Sequence, residues 1–201
     1  MRNSTFRMVC FLSIGILCNH ISYCANTDLP KDFIALTSQQ DTLNFYLEVN
    51  GSIRQMKNVM GDSGDNPWLD SAIVTVYYNN TIYTKAYTTR RGKCTFQLAL
   101  DKNYIVELSK PGFVSKRFEV NTKTPSNKKD AYSFYFDMDI FEYIEGLDTK
   151  VLDKPIAIVH YNVTNNEFEY DATFTNRINT DLKLMYRNYY LLEHNHKKKK
   201  K

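Results

Sequence analysis

Residues 70–120, DSAIVTVYYNNTIYTKAYTTRRGKCTFQLALDKNYIVELSKPGFVSKRFEV, set short apolar runs between turn signals. Ala72–Tyr78 is β-branched and aromatic, which suits a pleated, half-buried surface. Asn79-Asn80 predicts a tight hairpin into Thr81–Thr88, because asparagine tolerates the left-handed backbone such a turn needs. Arg90-Arg91-Gly92 turns the chain again. Cys94, Phe96, Leu98 and Leu100 then alternate with Thr95, Gln97 and Ala99, the period-2 signature of a strand with one buried face. After a turn at Asp101-Lys102-Asn103 the alternation resumes in Tyr104, Val106 and Leu108. Lys110-Pro111-Gly112 suits a type II turn, with proline fixing φ at the second position and glycine supplying positive φ at the third. Phe113–Val120 completes the set. Serial short strands with explicit turn chemistry predict a mainly β chain folded as an antiparallel sandwich.

Working outward, Leu43, Phe45, Leu47 and Val49 alternate with Asn44, Tyr46 and Glu48, so the sandwich is expected over residues 41–123. Asn58–Pro67 (NVMGDSGDNP) reads as a loop. Past the polar linker TKTPSNKK at 122–129, Tyr132, Phe134, Phe136, Met138 and Ile140 alternate with Ser133, Tyr135, Asp137 and Asp139. Pro155–Tyr161 is a further strand, and Phe168–Phe174 reads as a strand or the entry to a helix. Asp171 can cap a helix from Ala172 to Tyr190, along which Phe174, Ile178, Leu182, Met185 and Tyr189 recur every three or four residues. These elements are expected to form a small strand-and-helix appendage over 130–192. Residues 193–201, with His194, His196 and a run of lysines, are expected to be a disordered basic tail.

The first 25 residues read as an export signal. Arg2 and Arg7 precede the apolar stretch Met8–Cys18, which has the length of a signal core and is too short to span a bilayer; a polar segment with small residues follows. Residues 26–40 are expected to be a flexible leader, because they are short on periodicity. A lipid anchor at Cys24 is disfavoured, because Tyr23 is bulky where lipoprotein processing wants a small residue. Cleavage after Cys24 leaves Cys94 alone, which excludes an internal disulfide and cysteine-type zinc sites. The 26 bases exceed the 22 acids, but removing Arg2 and Arg7 leaves 24 against 22, and removing Lys197–Lys201 as well leaves 19 against 22. The expected folded body is therefore slightly acidic, which speaks against nucleic acid as a partner. At 43% hydrophobic and 14% aromatic over its 201 residues, the chain has ample material for a core.

The central stretch resembles the carboxypeptidase regulatory-like domain, a transthyretin-like (prealbumin-like) sandwich. Ala72, Val74 and Val76 match its first strand; Thr88, Gly92, Phe96 and Leu98 match the following thread; Tyr104, Val106, Leu108, Lys110, Pro111, Gly112 and Phe113 match the segment after that. Thr89 stands where the family often has aspartate, and Cys94 where it often has an aromatic or aliphatic residue. The segment from Phe134 to Ile178 resembles tails paired with such sandwiches in exported Gram-negative envelope proteins, with Pro155–Tyr161 and Phe168–Asp171 approximating the recurring pattern. The resemblance implies an accessory or tethering module in the periplasm or cell envelope, with no catalytic residues and no cofactor.

Tests for chemistry agree with that implication. The chain lacks the phosphate-loop, dinucleotide and zinc-hydrolase motifs. A dyad of Cys94 with a histidine is disfavoured, because Cys94 takes an inward strand position where thiols are inert. Asp137 and Asp139 fall on one strand face, and Asp62, Asp65 and Asn66 cluster in a loop; either set could meet a cation, but both read better as a solvated face and a turn. A small hydrolase using His160 and Asp171 ranks below the binding readings. Tyr78, Tyr83 and Tyr87 are expected on one exposed strand face, where an envelope protein or a cell-surface polymer would dock. Asp41-Thr42-Leu43 and Asp70-Ser71-Ala72 resemble O-glycan acceptors of some Gram-negative envelopes. The leading expectation is an exported, non-enzymatic protein-binding or assembly module; the alternative is a glycan- or peptidoglycan-binding accessory.

Overall fold

The computed structural model describes residues 44–57 and 66–199. The expected signal, leader, cleavage site and Cys24 lie outside these residues, as do Asp41–Leu43, Asp62 and Asp65. Within them the chain is a mainly β sandwich of two sheets with a C-terminal helix.

In the smaller sheet, β1 (Tyr46–Gln55) lies between β4 (Lys93–Ala99) and β7 (Ala131–Ile140). Alternation turns Leu47, Val49 and Ile53 of β1 into the core, all fully buried, with Phe96 and Leu98 of β4 and Phe134 and Phe136 of β7 beside them. Gly51 occupies the middle of that inward row, opposite Cys94 and Phe136. A Cβ on Gly51 would stand 2.2 Å from Phe136 Cζ and 2.8 Å from Cys94 Sγ, so the missing side chain is what lets ring and thiol fill the centre.

The larger sheet runs β3 (Thr81–Tyr87), β2 (Ile73–Tyr78), β5 (Asn103–Ser109), β6 (Lys116–Asn121), β8 (Ile158–Asn162) and β9 (Glu167–Tyr170). Its turns follow the local chemistry. Asn79 and Asn80 take φ of 48° and 60°, Asp101 takes 61°, and Phe113 N donates to Lys110 O at 3.0 Å across a turn whose Gly112 has φ 83°. Ala72, Val74, Val76, Tyr104, Phe118 and Val120 fill the inner face and are fully buried.

Two features depart from expectation. The strands after the polar linker complete the two sheets themselves: β7 pairs parallel with β1, and β8 pairs parallel with β6. Residues 122–129 are a crossover between sheets, polar because all but the buried Thr122 run along the surface. Alternation identifies an inward face but is silent about which strand lies alongside. The second departure is the basic tail, because α1 runs from Ala172 to Lys199. Lysines at a helix C-terminus offset the macrodipole, and Lys197 pairs with Glu193 one turn back at 2.7 Å.

Asp171 caps α1 as the sequence predicts, its Oδ1 accepting from Phe174 N at 2.8 Å. Met185 and Tyr189 bury the helix in a second apolar cluster with Val114, Phe141, Leu147 and Leu152. Lys116 is buried on the inward side of β6. It donates to Asp139 O and faces the rings of Phe141 and Tyr186 at 5.6 and 5.3 Å, which satisfies a cation in an otherwise apolar position.

Candidate functional site

The outer face of the three-stranded sheet collects the most distinctive surface chemistry. Alternation that sends Leu47, Val49 and Ile53 inward sends Glu48, Asn50, Ser52 and Arg54 outward, with Lys93 and Thr95 on one side and Ser133, Tyr135 and Asp137 on the other. Trp68 joins them from a loop. Backbone bonds from Gln55 N to Pro67 O (2.9 Å) and Leu69 N to Ile53 O (3.0 Å) clamp residues 67–69 onto the end of β1. Gly92 makes this approach possible: its φ is 65°, and a Cβ there would meet Ile53 O at 2.3 Å and Trp68 Cε3 at 3.2 Å.

The clamp lays the Trp68 indole against two cations. The Arg54 guanidinium lies 4.1 Å from its ring centre and the Lys93 ammonium 4.9 Å. Lys93 also faces the Tyr135 ring at 5.3 Å and donates to Tyr135 OH at 3.2 Å and to Ser52 Oγ, while the Ser52 and Tyr135 hydroxyls share a further hydrogen bond. Arg54 pairs with Asp137 at 3.2 Å. Beyond Tyr135 a polar row continues: Thr95 Oγ1 donates to Asn50 Oδ1 at 2.8 Å, and Asn50 Nδ2 donates to Glu48 Oε1 at 3.0 Å. Trp68 is 42% exposed and Tyr135 52%, so both rings present a face to solvent, and the Tyr135 hydroxyl is held by Ser52 and Lys93. Ser52 lies fully buried beneath them. Its hydroxyl is closed off from any substrate and serves to tie Lys93 to Tyr135.

The residues singled out from sequence are placed as follows. Tyr78 and Tyr83 stand together, both against the buried Tyr104 ring (5.6 and 5.1 Å between centres), with the Lys102 ammonium 4.9 Å from the first and 5.7 Å from the second. Tyr87 does not join them. The pairing of β2 with β3 slips after Val76, so that Tyr83 is an extra residue turned toward Tyr104, while Tyr87 opposite Ile73 faces outward at 63% exposure. Asp137 and Asp139 take different partners: Asp137 pairs with Arg54, and Asp139 accepts from Asn66 Nδ2 at 2.7 Å. Asn66 in turn accepts from Lys57 N at 3.0 Å, which fixes the end of the loop containing it. Among the described residues no group of three or more His, Cys, Asp or Glu is placed to hold a metal ion. Cys94 is buried, and burial pushes its thiol up to about 11 against the lowering effects of the Gly51 backbone and Lys93. His160 pairs across strands with Glu169, and the Asp171 carboxylate is occupied as the helix cap.

Trp68, Arg54, Lys93 and Tyr135 were not singled out from the sequence. The available signal was a lone tryptophan after Pro67 in a polar loop; the cations it meets lie on β1 and β4, and Tyr135 joins them through Lys93 from β7.

No family model matches the chain, and no curated protein does. Solved structures overlap it in part. The TIE protein of Bacillus anthracis is 16% identical with a TM-score of 0.38, covering 49% of this chain and 18% of that one. Catechol 1,2-dioxygenase from Acinetobacter sp. ADP1 is 12% identical with a TM-score of 0.38, covering 58% and 59%. The shaft pilin SpaA of Lactobacillus rhamnosus GG is 10% identical with a TM-score of 0.33, covering 50% and 52%. The chain spans less than two thirds of the length of each, and overlap this partial carries no activity or partner across.

Proposed function

We propose that this chain is an exported, non-enzymatic module of the cell envelope that binds a partner protein through the outer face of its three-stranded sheet. The observation that carries the reading is the cluster of Trp68, Lys93 and Tyr135, all exposed, around the half-buried Arg54. Tryptophan, tyrosine and arginine are the residues that dominate protein interfaces, and here they are already held in place before a partner arrives. Export is supported by the pattern of residues 1–25. The carboxypeptidase regulatory-like reading is supported by the inward places of Ala72, Val74, Val76, Phe96, Leu98 and Tyr104 and by the positive φ of Gly92 and Gly112. A non-enzymatic role is supported by the buried thiol of Cys94 and the covered hydroxyl of Ser52.

The second reading, a glycan- or peptidoglycan-binding accessory, is favoured by one arrangement: flat rings beside a row of amide and hydroxyl groups at Asn50, Thr95 and Ser133. A photo-crosslinker at Tyr135 in intact envelopes tests both. A discrete protein adduct that disappears in Trp68→Ala supports the first. Retention on insoluble cell-wall polymer that falls at least about tenfold in Trp68→Ala, the loss of one anchor residue, supports the second. Behaviour unchanged by Trp68→Ala in both assays refutes the site.

A further inference from the structure

The solvent side of α1 carries a pattern that neither its packing nor its cap requires. Its buried side is the run Leu182, Met185, Tyr189 and Leu192. On the opposite side, at alternating spacings of three and four, stand Leu184, Arg187, Leu191, His194 and Lys198, flanked by Lys183 and Tyr190, and all are exposed. Leu184 is 60% exposed and Leu191 50%. The helix has two acids, and both fall beside this stripe. Asp181 lines a shallow depression at the stripe's N-terminal edge with Asp148, Lys150 and Leu184, and Glu193 is paired with Lys197. The stripe is therefore apolar and cationic without a carboxylate of its own. The macrodipole accounts for bases in the last turn. It does not account for Lys183 and Arg187 several turns earlier, nor for two exposed leucines.

We infer that this stripe seats α1 on an anionic lipid surface, with Leu184, Leu191 and the Tyr190 ring entering the boundary between headgroups and acyl chains and the bases facing phosphate. Basic residues interleaved with leucine and an aromatic on one face are the composition of an interfacial helix. Charge complementarity selects the occupant. A second copy would set Arg187 and Lys198 against the same residues of its mate, and a neutral apolar partner would desolvate the bases without compensation. No described helix is long and apolar enough to cross a membrane, so the contact is one of lying on the surface. It stands independently of whichever partner the three-stranded sheet takes.

The test is flotation of the full chain with vesicles of phosphatidylglycerol in phosphatidylcholine, compared across variants that circular dichroism shows to be folded. The apolar segment Met8–Cys18 is common to all of them, so differences between variants read the helix. Each base near an anionic surface is worth about fivefold in partitioning, so Lys183→Glu with Arg187→Glu is expected to lower it at least about 25-fold. Leu184→Ser with Leu191→Ser is expected to lower it several-fold, and Lys85→Glu on β3 to leave it unchanged. Parent-like flotation of both double variants overturns the inference. So does a leucine variant that floats like the parent while the charge variant loses binding equally to lipid-free polyphosphate, because that result marks plain anion attraction.

Discussion

Replacing Gly51 with alanine adds one methyl group at the tightest point of the core. The new Cβ would lie 2.2 and 2.5 Å from Phe136 Cζ and Cε1, and 2.8 Å from Cys94 Sγ. Carbon atoms in comfortable contact stand about 3.5–4.0 Å apart, so the overlap with the ring exceeds an ångström. The ring has nowhere to go: Phe136 is 1% exposed, and its neighbour Phe118, with ring centres 5.1 Å apart, is fully buried. Overpacking of this kind costs about 1–3 kcal/mol, against a gain of about 0.5–1 kcal/mol from removing a flexible glycine from a strand. The net expectation is a loss of about 1–2 kcal/mol. Urea unfolding followed by the fluorescence of Trp68, the only tryptophan, should show a midpoint lowered by about 0.5–1 M for a slope near 2 kcal/mol/M. The same substitution in a Phe136→Leu background should cost less, because the clashing ring atoms are gone and only the close approach to Cys94 Sγ remains. A Gly51→Ala protein as stable as the parent, or one that loses equally in both backgrounds, refutes the packing argument.

Two further predictions concern titration. With its thiol held near 11 instead of the ordinary 9.0, native Cys94 carries about 100-fold less thiolate at pH 8, so its peptide should alkylate at least that much faster in urea; rapid native labelling would contradict its burial. Burial also pushes the phenols of Tyr170 and Tyr189 up to about 12 from near 10. Groups whose folded values are raised favour the native state fully while protonated and lose that contribution as pH climbs through the folded value. Stability should hold from neutrality to about pH 9, then fall between about pH 9 and 12 as Cys94 and these tyrosines are drawn toward ionisation; a flat urea midpoint across that window would contradict the raised values.

The turns and strand faces were legible because their causes are local. Lys110-Pro111-Gly112 and Asn79-Asn80 specify their own backbone geometry, and Asp171 specifies its own cap. Tyr87 was misplaced because period 2 assumes an unbroken register, and the extra residue at Tyr83 reverses the parity of β3 beyond it. β7 was assigned its correct inward face but separated from the sandwich, since nothing in Phe134 or Phe136 names β1 as the neighbour. The Trp68 cluster was hidden for the same reason: it depends on Ile53, Pro67, Leu69 and Gly92 meeting across the fold.

The parallel seating of β7 on β1 sets a schedule for the chain. β1 ends at Gln55, yet the strand that covers its second edge does not begin until Ala131, and β6 waits for Ile158. At about 5–20 residues per second of synthesis, the smaller sheet stays open on one side for several seconds while later strands emerge. Its contacts are dominated by distant pairings, the class that folds slowly. For a chain that is exported, as proposed here, that delay favours passage before folding, because the fold cannot lock until its last strands are present.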